Sequence, residues 1–309
     1  MDEKPKIIVI AGPTAGGKTT LSVELALALG GEIVSADAMQ VYRYMDVGTA
    51  KPSTEERRGI AHHLLDVVNP DEAFNAAAYR DLALAAIRDI RARGKVCLVV
   101  GGTGLYIKAL LKGIFECPET DEDLRRSLLQ EARDGGAGKL YEFLEATDPE
   151  SAARIHPNDV VRIVRAVEIY RLTGKPASQV RTAHGFQEAP VRALKLYLRM
   201  DREVLYRRID RRSLDMVRDG LIEETRGLLE RGYSPDLKPM QAIGYRHMVK
   251  CLDGVYSREE AVETLQKDTR RYAKRQLTWF RADPEAEWLD PEDRDAFTRK
   301  IGRFMSEAG

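Results

Sequence analysis

Apolar and polar positions change period along this chain, and the changes mark out a layered α/β protein. Ile7–Ala11 is a short continuous apolar run, the pattern of a strand buried on both faces. The spacing then predicts a helix from about Lys18 to Leu29 and a second strand over Glu32–Ser35. A helix from about Asn75 to Arg93 precedes a third apolar run, Val96–Val100. Doubly buried strands separated by helices predict a parallel sheet with helices against both faces. Ligands of such sheets gather at the carboxyl ends of the strands.

From about Thr120 to Pro190 the strand pattern stops. Helical periodicity runs over Asp121–Arg133, Gly138–Thr147 and Asn158–Leu172. The last of these has Asn158 or Asp159 as N-cap and Gly174 with Pro176 as its stop. Strand character returns at Ala193–Met200, and Asp201 caps a long helix through about Val217. Further helical stretches cover Gly220–Glu230 and Arg258–Arg281.

The turn after the first strand reads Gly12-Pro13-Thr14-Ala15-Gly16-Gly17-Lys18-Thr19. This is G-x-x-x-x-G-K-[ST] with a strand before it and a helix after it. Glycines let the backbone close around phosphate oxygens, and successive N–H groups at a helix N-terminus form an anion nest. Lys18 adds a point charge, and the Thr19 hydroxyl suits Mg²⁺. A diphosphate or triphosphate is therefore expected here. The fold class that follows is α/β, a P-loop NTPase-like parallel sheet core flanked by helices, with a mostly helical insertion domain. The core is expected over residues 1–119 and 191–309, with the C-terminal helices, and the insertion over 120–190.

Composition narrows the partners. The 309 residues carry 49 basic and 49 acidic side chains, so the protein does not simply coat nucleic acid, although a local basic groove is compatible. Cys97, Cys117 and Cys251 lie far apart, without zinc-ligand spacing, and read as reduced thiols. A first strand near residue 7 and the lack of an apolar run of ~20 residues give the expectation of a cytoplasmic protein without a leader or membrane span. No long exposed coiled-coil pattern calls for a dimer, so a monomer is expected.

Asp37 follows directly on the second strand, in Ser35-Ala36-Asp37-Ala38-Met39-Gln40-Val41-Tyr42. Beside a phosphate loop, a carboxylate can bind a metal or accept a proton from an attacking nucleophile. Gly101-Gly102-Thr103-Gly104-Leu105-Tyr106 follows the third strand. ATP-hydrolysing P-loop proteins usually place an acid there; glycines and the Thr103 hydroxyl weaken that reading. Leu205, Ile209, Arg212 and Met216 share one helix stripe, and a guanidinium on an apolar face needs an anion. Arg270–Arg281 holds five basic residues among aromatics and no acid, a composition suited to folded RNA. Arg162 and Arg165 offer a second phosphate contact. Adjacent His62 and His63 read as structural.

Taken together, these pieces resemble the bacterial-type tRNA dimethylallyltransferases, also called tRNA isopentenyltransferases. The likeness runs in order through Gly12–Thr19, Asp37–Tyr42 with Met45–Pro52, Gly101–Tyr106, His156–Asp159 with Val161–Arg165, Arg208–Met216, Gln241–Arg246 and Lys274–Trp279. The resemblance implies transfer of a dimethylallyl group from dimethylallyl diphosphate to an adenosine amine beside the tRNA anticodon, with Mg²⁺. It implies catalytic roles for Asp37, Thr103 and Arg212. Diphosphate would be held by Gly12, Thr14, Ala15, Gly16, Gly17, Lys18, Thr19 and Arg212, with the metal at Thr19. The tRNA anticodon stem-loop would meet Asp37, Ala38, Met39, Gln40, Thr103 and Arg125. It would also meet Val161, Arg162, Ile163, Val164 and Arg165, then Gln241, Ala242, Ile243, Gly244, Tyr245 and Arg246, and finally the basic helix at Arg271, Lys274 and Arg275. The chain carries Ala38 and Gly16 where many members have Ser. A P-loop kinase of a small metabolite, an adenylate isopentenyltransferase and a non-catalytic RNA-binding module are the alternatives. An idle basic groove counts against the first two, and intact Lys18, Thr19 and Asp37 against the third.

Overall fold

The computed structural model describes residues 4–114, 121–134, 136–184 and 189–307; Cys117 lies outside them. In chain order the elements begin with β1 (Lys6–Ala11), α1 (Lys18–Leu29), β2 (Gly31–Ser35), α2 (Thr54–Arg57) and β3 (His62–His63). There follow α3 (Ala76–Ala92), β4 (Val96–Gly101) and α4 (Gly104–Lys112). Five helices come next: α5 (Glu122–Asp134), α6 (Ala137–Thr147), α7 (Pro149–Ala152), α8 (Val160–Thr173) and α9 (Ala177–His184). The chain closes with β5 (Arg192–Leu198), α10 (Arg202–Arg218), α11 (Leu221–Glu230), α12 (Tyr245–Leu252), α13 (Arg258–Arg281), β6 (Glu287–Leu289) and α14 (Arg294–Ser306).

The described strands form one six-stranded parallel sheet in the order β3-β2-β4-β1-β5-β6. β1 is interior to the sheet. Its Ile7, Ile8, Val9, Ile10 and Ala11 are all fully buried, and burying each large aliphatic side chain contributes about 1.5–3 kcal/mol. Ile8 and Ile10 pack with Leu21, Leu25 and Ala26 of α1 and with Phe297 and Ile301 of α14. The edge strands β3 and β6, of two and three residues, lie outside the strands the periodicity predicts. His63 of β3 contacts the buried Glu32 of β2, with Nε2 2.7 Å from Oε2. Arg93 and Lys95 donate to the same carboxylate.

The chain divides into two compact units, Met1–Leu111 with Ala189–Gly309, and Lys112–Glu188. The second unit has its own core, in which Leu128, Leu140, Leu144, Ile163, Val164 and Val167 are buried together. Its α8 is capped by Asp159, whose side chain accepts the Arg162 N–H, and it ends at left-handed Gly174. In the first unit α10 is capped by Asp201, and Ser257 with Glu260 forms a capping box at the start of α13.

Candidate active site

The turn from β1 into α1 has its shape because of a few residues. Gly17 is the N-cap of α1 with a φ of 84°, left-handed backbone that glycine adopts freely. Ala15 is also left-handed, at 60°. A Cβ on Gly16 would stand 2.9 Å from the Pro13 carbonyl oxygen, so the close turn requires glycine there. Left-handed residues placed just before a helix are the backbone form of an anion nest, reinforced by the helix dipole. Lys18 Nζ donates to the carbonyls of Gly12 at 3.0 Å and Pro13 at 2.7 Å. Burial pushes the Lys18 ammonium down to about 8, against the pull of the Asp37 carboxylate and with the help of Arg212.

A cleft of about 920 Å³ opens over this turn. Thr14–Thr19, Asp37, Gln40, Arg212 and Met216 line it, together with parts of 46–57 and Tyr272 and Gln276 of α13. Arg212 Nη1 reaches Thr14 Oγ1 at 3.5 Å. Burial lowers the Arg212 pKa from its ordinary value, with Asp37 and Glu56 opposing. Among the described residues no carboxylate stands within ion-pair distance of Arg212. Two cations are thus held in one cleft, each burdened by desolvation, and an anion between them relieves the cost.

Asp37 sits just past β2 and lines the cleft. Its Oδ1 accepts the Met39 N–H at 2.9 Å, which makes a side-chain turn. The Ala38 N–H is taken by Thr103 Oγ1 at 2.9 Å, and the Thr103 N–H donates to Ala36 O at 3.1 Å. Thr103 therefore laces the turn after β4 to the turn that carries Asp37, and it does not itself line the cleft. Gln40 Nε2 donates to the carbonyls of Thr49 and Ala50 at 3.3 and 3.2 Å, bracing the 46–57 wall.

The residues expected to meet RNA separate into surface and interior groups. On α13, Arg271, Lys274 and Arg275 are exposed, and the Arg275 guanidinium stacks 5.7 Å over the Tyr272 ring. Arg246 is held by Asp268 at 2.6 Å; Gln241 is exposed, with Ala242 and Ile243 half-buried beside it. Tyr245 and Gly244 are a correction. Both are buried, and the Tyr245 hydroxyl donates to Glu224 Oε1 at 2.6 Å, so that ring faces protein interior. The same correction applies within the helical unit to Ile163 and Val164, which are core residues. There Val161 is exposed, Arg162 pairs with Asp159 at 3.3 Å, Arg165 with Glu168 at 2.7 Å, and Arg125 is half-buried on α5.

Two residues of this site went unmarked by sequence. Gln276 is buried on α13 and joins the phosphate loop to the glycine turn, accepting from Thr14 N and donating to Gly102 O. Glu224 accepts the backbone N–H groups of Asp46, Val47 and Gly48 at 2.8, 2.8 and 3.0 Å. Gly104 and Gly48 held the available hints. A Cβ on Gly104 would meet the Trp279 ring at 2.1 Å, and one on Gly48 the Tyr245 ring at 2.5 Å.

A parallel sheet with a glycine-rich loop after an interior strand, and a cleft pairing Lys18 and Arg212 with a strand-end acid, define a P-loop-like α/β protein. The family model described as IPP transferase matches residues 40–283. A tRNA dimethylallyltransferase 2 of Syntrophus aciditrophicus is 51% identical, covering 98% of this chain and 97% of that protein. A tRNA dimethylallyltransferase of Desulfosudis oleivorans is 52% identical over 94% of this chain and 92% of its own length. Among solved structures, the tRNA isopentenylpyrophosphate transferase of Bacillus halodurans superposes with a TM-score of 0.70 at 43% identity, over 98% of this chain and 96% of that one. A eukaryotic dimethylallyltransferase captured acting on tRNA gives 0.79 at 32% identity, over 97% of this chain and 79% of that one. The chain belongs to the IPP transferase family.

Proposed function

We propose that this chain is a tRNA dimethylallyltransferase. It transfers the dimethylallyl group of dimethylallyl diphosphate to the exocyclic amine of the adenosine on the 3′ side of a tRNA anticodon. In the reaction the C1–O bond of the donor breaks and its electron pair leaves with diphosphate. The amine lone pair forms the new C1–N bond, and Asp37 accepts the amine proton. Lys18, Arg212 and the N–H groups of the phosphate loop stabilise charge that grows on the leaving group. The adenine has to leave its stack to reach the cleft.

The observation that carries this reading is the company Asp37 keeps. It lines one cleft with Lys18 and Arg212, and within a largely polar lining stand Val47, Ala50, Pro52 and Met216, apolar side chains that suit a short hydrocarbon attached to a diphosphate. The kinase alternative is not favoured, since β4 ends in glycine instead of an acid.

The cleft's oxygen donors fit Mg²⁺. Among the described residues no group of three or more His, Cys, Asp or Glu could hold a metal. Thr19 lines the cleft and would hold the ion together with substrate phosphates, the usual arrangement for this metal. Bound there, it would neutralise charge on the departing diphosphate. Arg271, Lys274 and Arg275 would contact tRNA phosphates from α13; in the helical unit Arg125, Arg162 and Arg165 would do the same and Val161 would offer an apolar contact. We read the enzyme as a cytoplasmic monomer; among the described residues no helix is long and apolar enough to cross a membrane.

The test is a transfer assay with radiolabelled dimethylallyl diphosphate, Mg²⁺ and an anticodon stem-loop carrying an A-A-A run, with AMP and ATP-metabolite reactions in parallel. Label in the stem-loop is expected. Label in AMP alone, or ATP consumption without transfer, would overturn the reading.

A further inference from the structure

Segment 44–66 supplies one wall of the cleft, and its backbone is unusual. Five residues other than glycine there take left-handed φ: Tyr44 at 65°, Ala50 at 46°, Arg58 at 49°, Leu64 at 64° and Asp66 at 56°. Such backbone is costly and persists only where its surroundings over-determine it. Three side chains brace parts of this backbone. Gln40 holds the carbonyls of Thr49 and Ala50. Lys51, almost fully buried, donates to Tyr42 O at 2.9 Å and to Asp46 and Asp66, each at 2.6 Å. Glu224 comes from α11, far away in sequence, and its two oxygens accept four hydrogen bonds.

The Glu224 arrangement is specific. Three successive N–H groups, of residues 46, 47 and 48, converge on one carboxylate, an anion nest filled from within the protein. The fourth donor is the Tyr245 hydroxyl, whose ring lies so close to Gly48 that no Cβ fits between them. The backbone held in this way carries Val47, one of the apolar residues of the cleft, and leads directly to Ala50 and Pro52. The phosphate loop, by contrast, takes none of its hydrogen bonds from Glu224.

We propose that Glu224, with the Tyr245 hydroxyl, is a positioning residue that sets the part of the cleft wall carrying Val47, Ala50 and Pro52 and so governs recognition of the donor's hydrocarbon part. It touches no substrate. It acts through the backbone of 46–48. The inference rests on the prenyl-transfer reading above, because it assigns that wall to the hydrocarbon and the loop to the diphosphate.

The experiment compares dimethylallyl diphosphate and inorganic diphosphate by calorimetry on wild type, Glu224→Gln and Tyr245→Phe, with melting temperatures in parallel. An amide in place of the carboxylate sets at least one N–H donor against another donor. Glu224→Gln is therefore expected to bind dimethylallyl diphosphate about tenfold more weakly. Its affinity for inorganic diphosphate stays within about twofold of wild type, because the loop is untouched. Tyr245→Phe, which keeps the nest, shifts in the same direction by less; it carries the test if Glu224→Gln shows no cooperative melt. Equal losses for both ligands, or an unchanged prenyl-donor affinity in the folded variants, would overturn the inference alone. A wild type that binds the prenyl donor no better than inorganic diphosphate would overturn the prenyl-transfer reading and this inference with it.

Discussion

Gln276 bridges two turns that lie far apart in sequence. Its Oε1 accepts the Thr14 N–H at 2.8 Å while its Nε2 donates to the Gly102 carbonyl at 2.9 Å. The amide thus supports the phosphate loop from a helix whose exposed face is basic. Replacing Gln276 with Leu leaves the buried Gly102 carbonyl without a partner, which costs about 1–3 kcal/mol, and frees the part-buried Thr14 N–H to the cleft. A lowered urea midpoint and weaker inorganic diphosphate binding are expected, and unchanged values of both would contradict the bridge.

Asp37→Ala is expected to lower the single-turnover rate by about 10²–10⁴, the usual contribution of a general base. Stem-loop affinity should change little, because the base acts mainly in the transition state. Rapid-quench kinetics beside a filter-binding titration separate the two effects.

Lys18 gives a pH dependence of defined sign. Its pKa in the folded protein is about 8, below the ordinary lysine value of 10.5. Between those values the unfolded chain binds more protons than the native one, so this group makes stability rise with pH across that window. Ligand binding moves the other way, since an anion favours the charged amine. Above pH 8 inorganic diphosphate should bind more weakly and take up a proton. Calorimetry in buffers of different ionisation enthalpy detects the uptake, and Lys18→Arg is expected to abolish Lys18's share of it.

Charge reversal at Arg271 and Arg275 is expected to weaken stem-loop binding and flatten its salt dependence. Removing one cation from the phosphate backbone reduces the slope of log K against log salt by about 0.7–0.9. Anisotropy titrations over a salt series read the slope, and an unchanged slope would remove α13 from the RNA groove.

Gly101→Ala tests the close approach beneath Asp37. A Cβ there would lie 2.1 Å from the Ala36 carbonyl oxygen, and backbone cannot give way as a side chain would. A loss of about 1–3 kcal/mol is expected from the overpacking, measured by denaturant titration, together with a slower transfer rate as the Asp37 turn shifts.

Several features of the site were legible in the chain because their physics is local. Gly12–Thr19 required a strand, a turn of glycines and a helix in immediate succession, and β1 and α1 supply them. Arg212 betrayed itself by breaking an apolar stripe, and its cleft position follows from the buried Leu205 and Ile209 on the same face. The capped helices α8, α10 and α13 were readable for the same reason, since caps and periodicity act over a few residues.

Other features depended on segments meeting across the fold. β3 and β6 are too short to show a period of two, and pairing with the sheet alone makes them strands. Tyr245 reads as an available phenol in sequence, but the partner that buries its hydroxyl is on α11. Ile163 and Val164 lie in a motif flanked by exposed residues, and only packing against α5 and α6 turned them inward. Gln276 stands in a basic, aromatic run where an amide carries no mark of its own. Its role exists because α13 crosses behind the phosphate loop. The glycine-rich turn, the alternation that builds the sheet and the acid at the end of β2 were legible along the chain, since each is written in neighbouring residues. Tertiary structure decided which polar side chains face the cleft and which are spent bracing its walls, because burial and hydrogen-bond partners are properties of distant segments brought together.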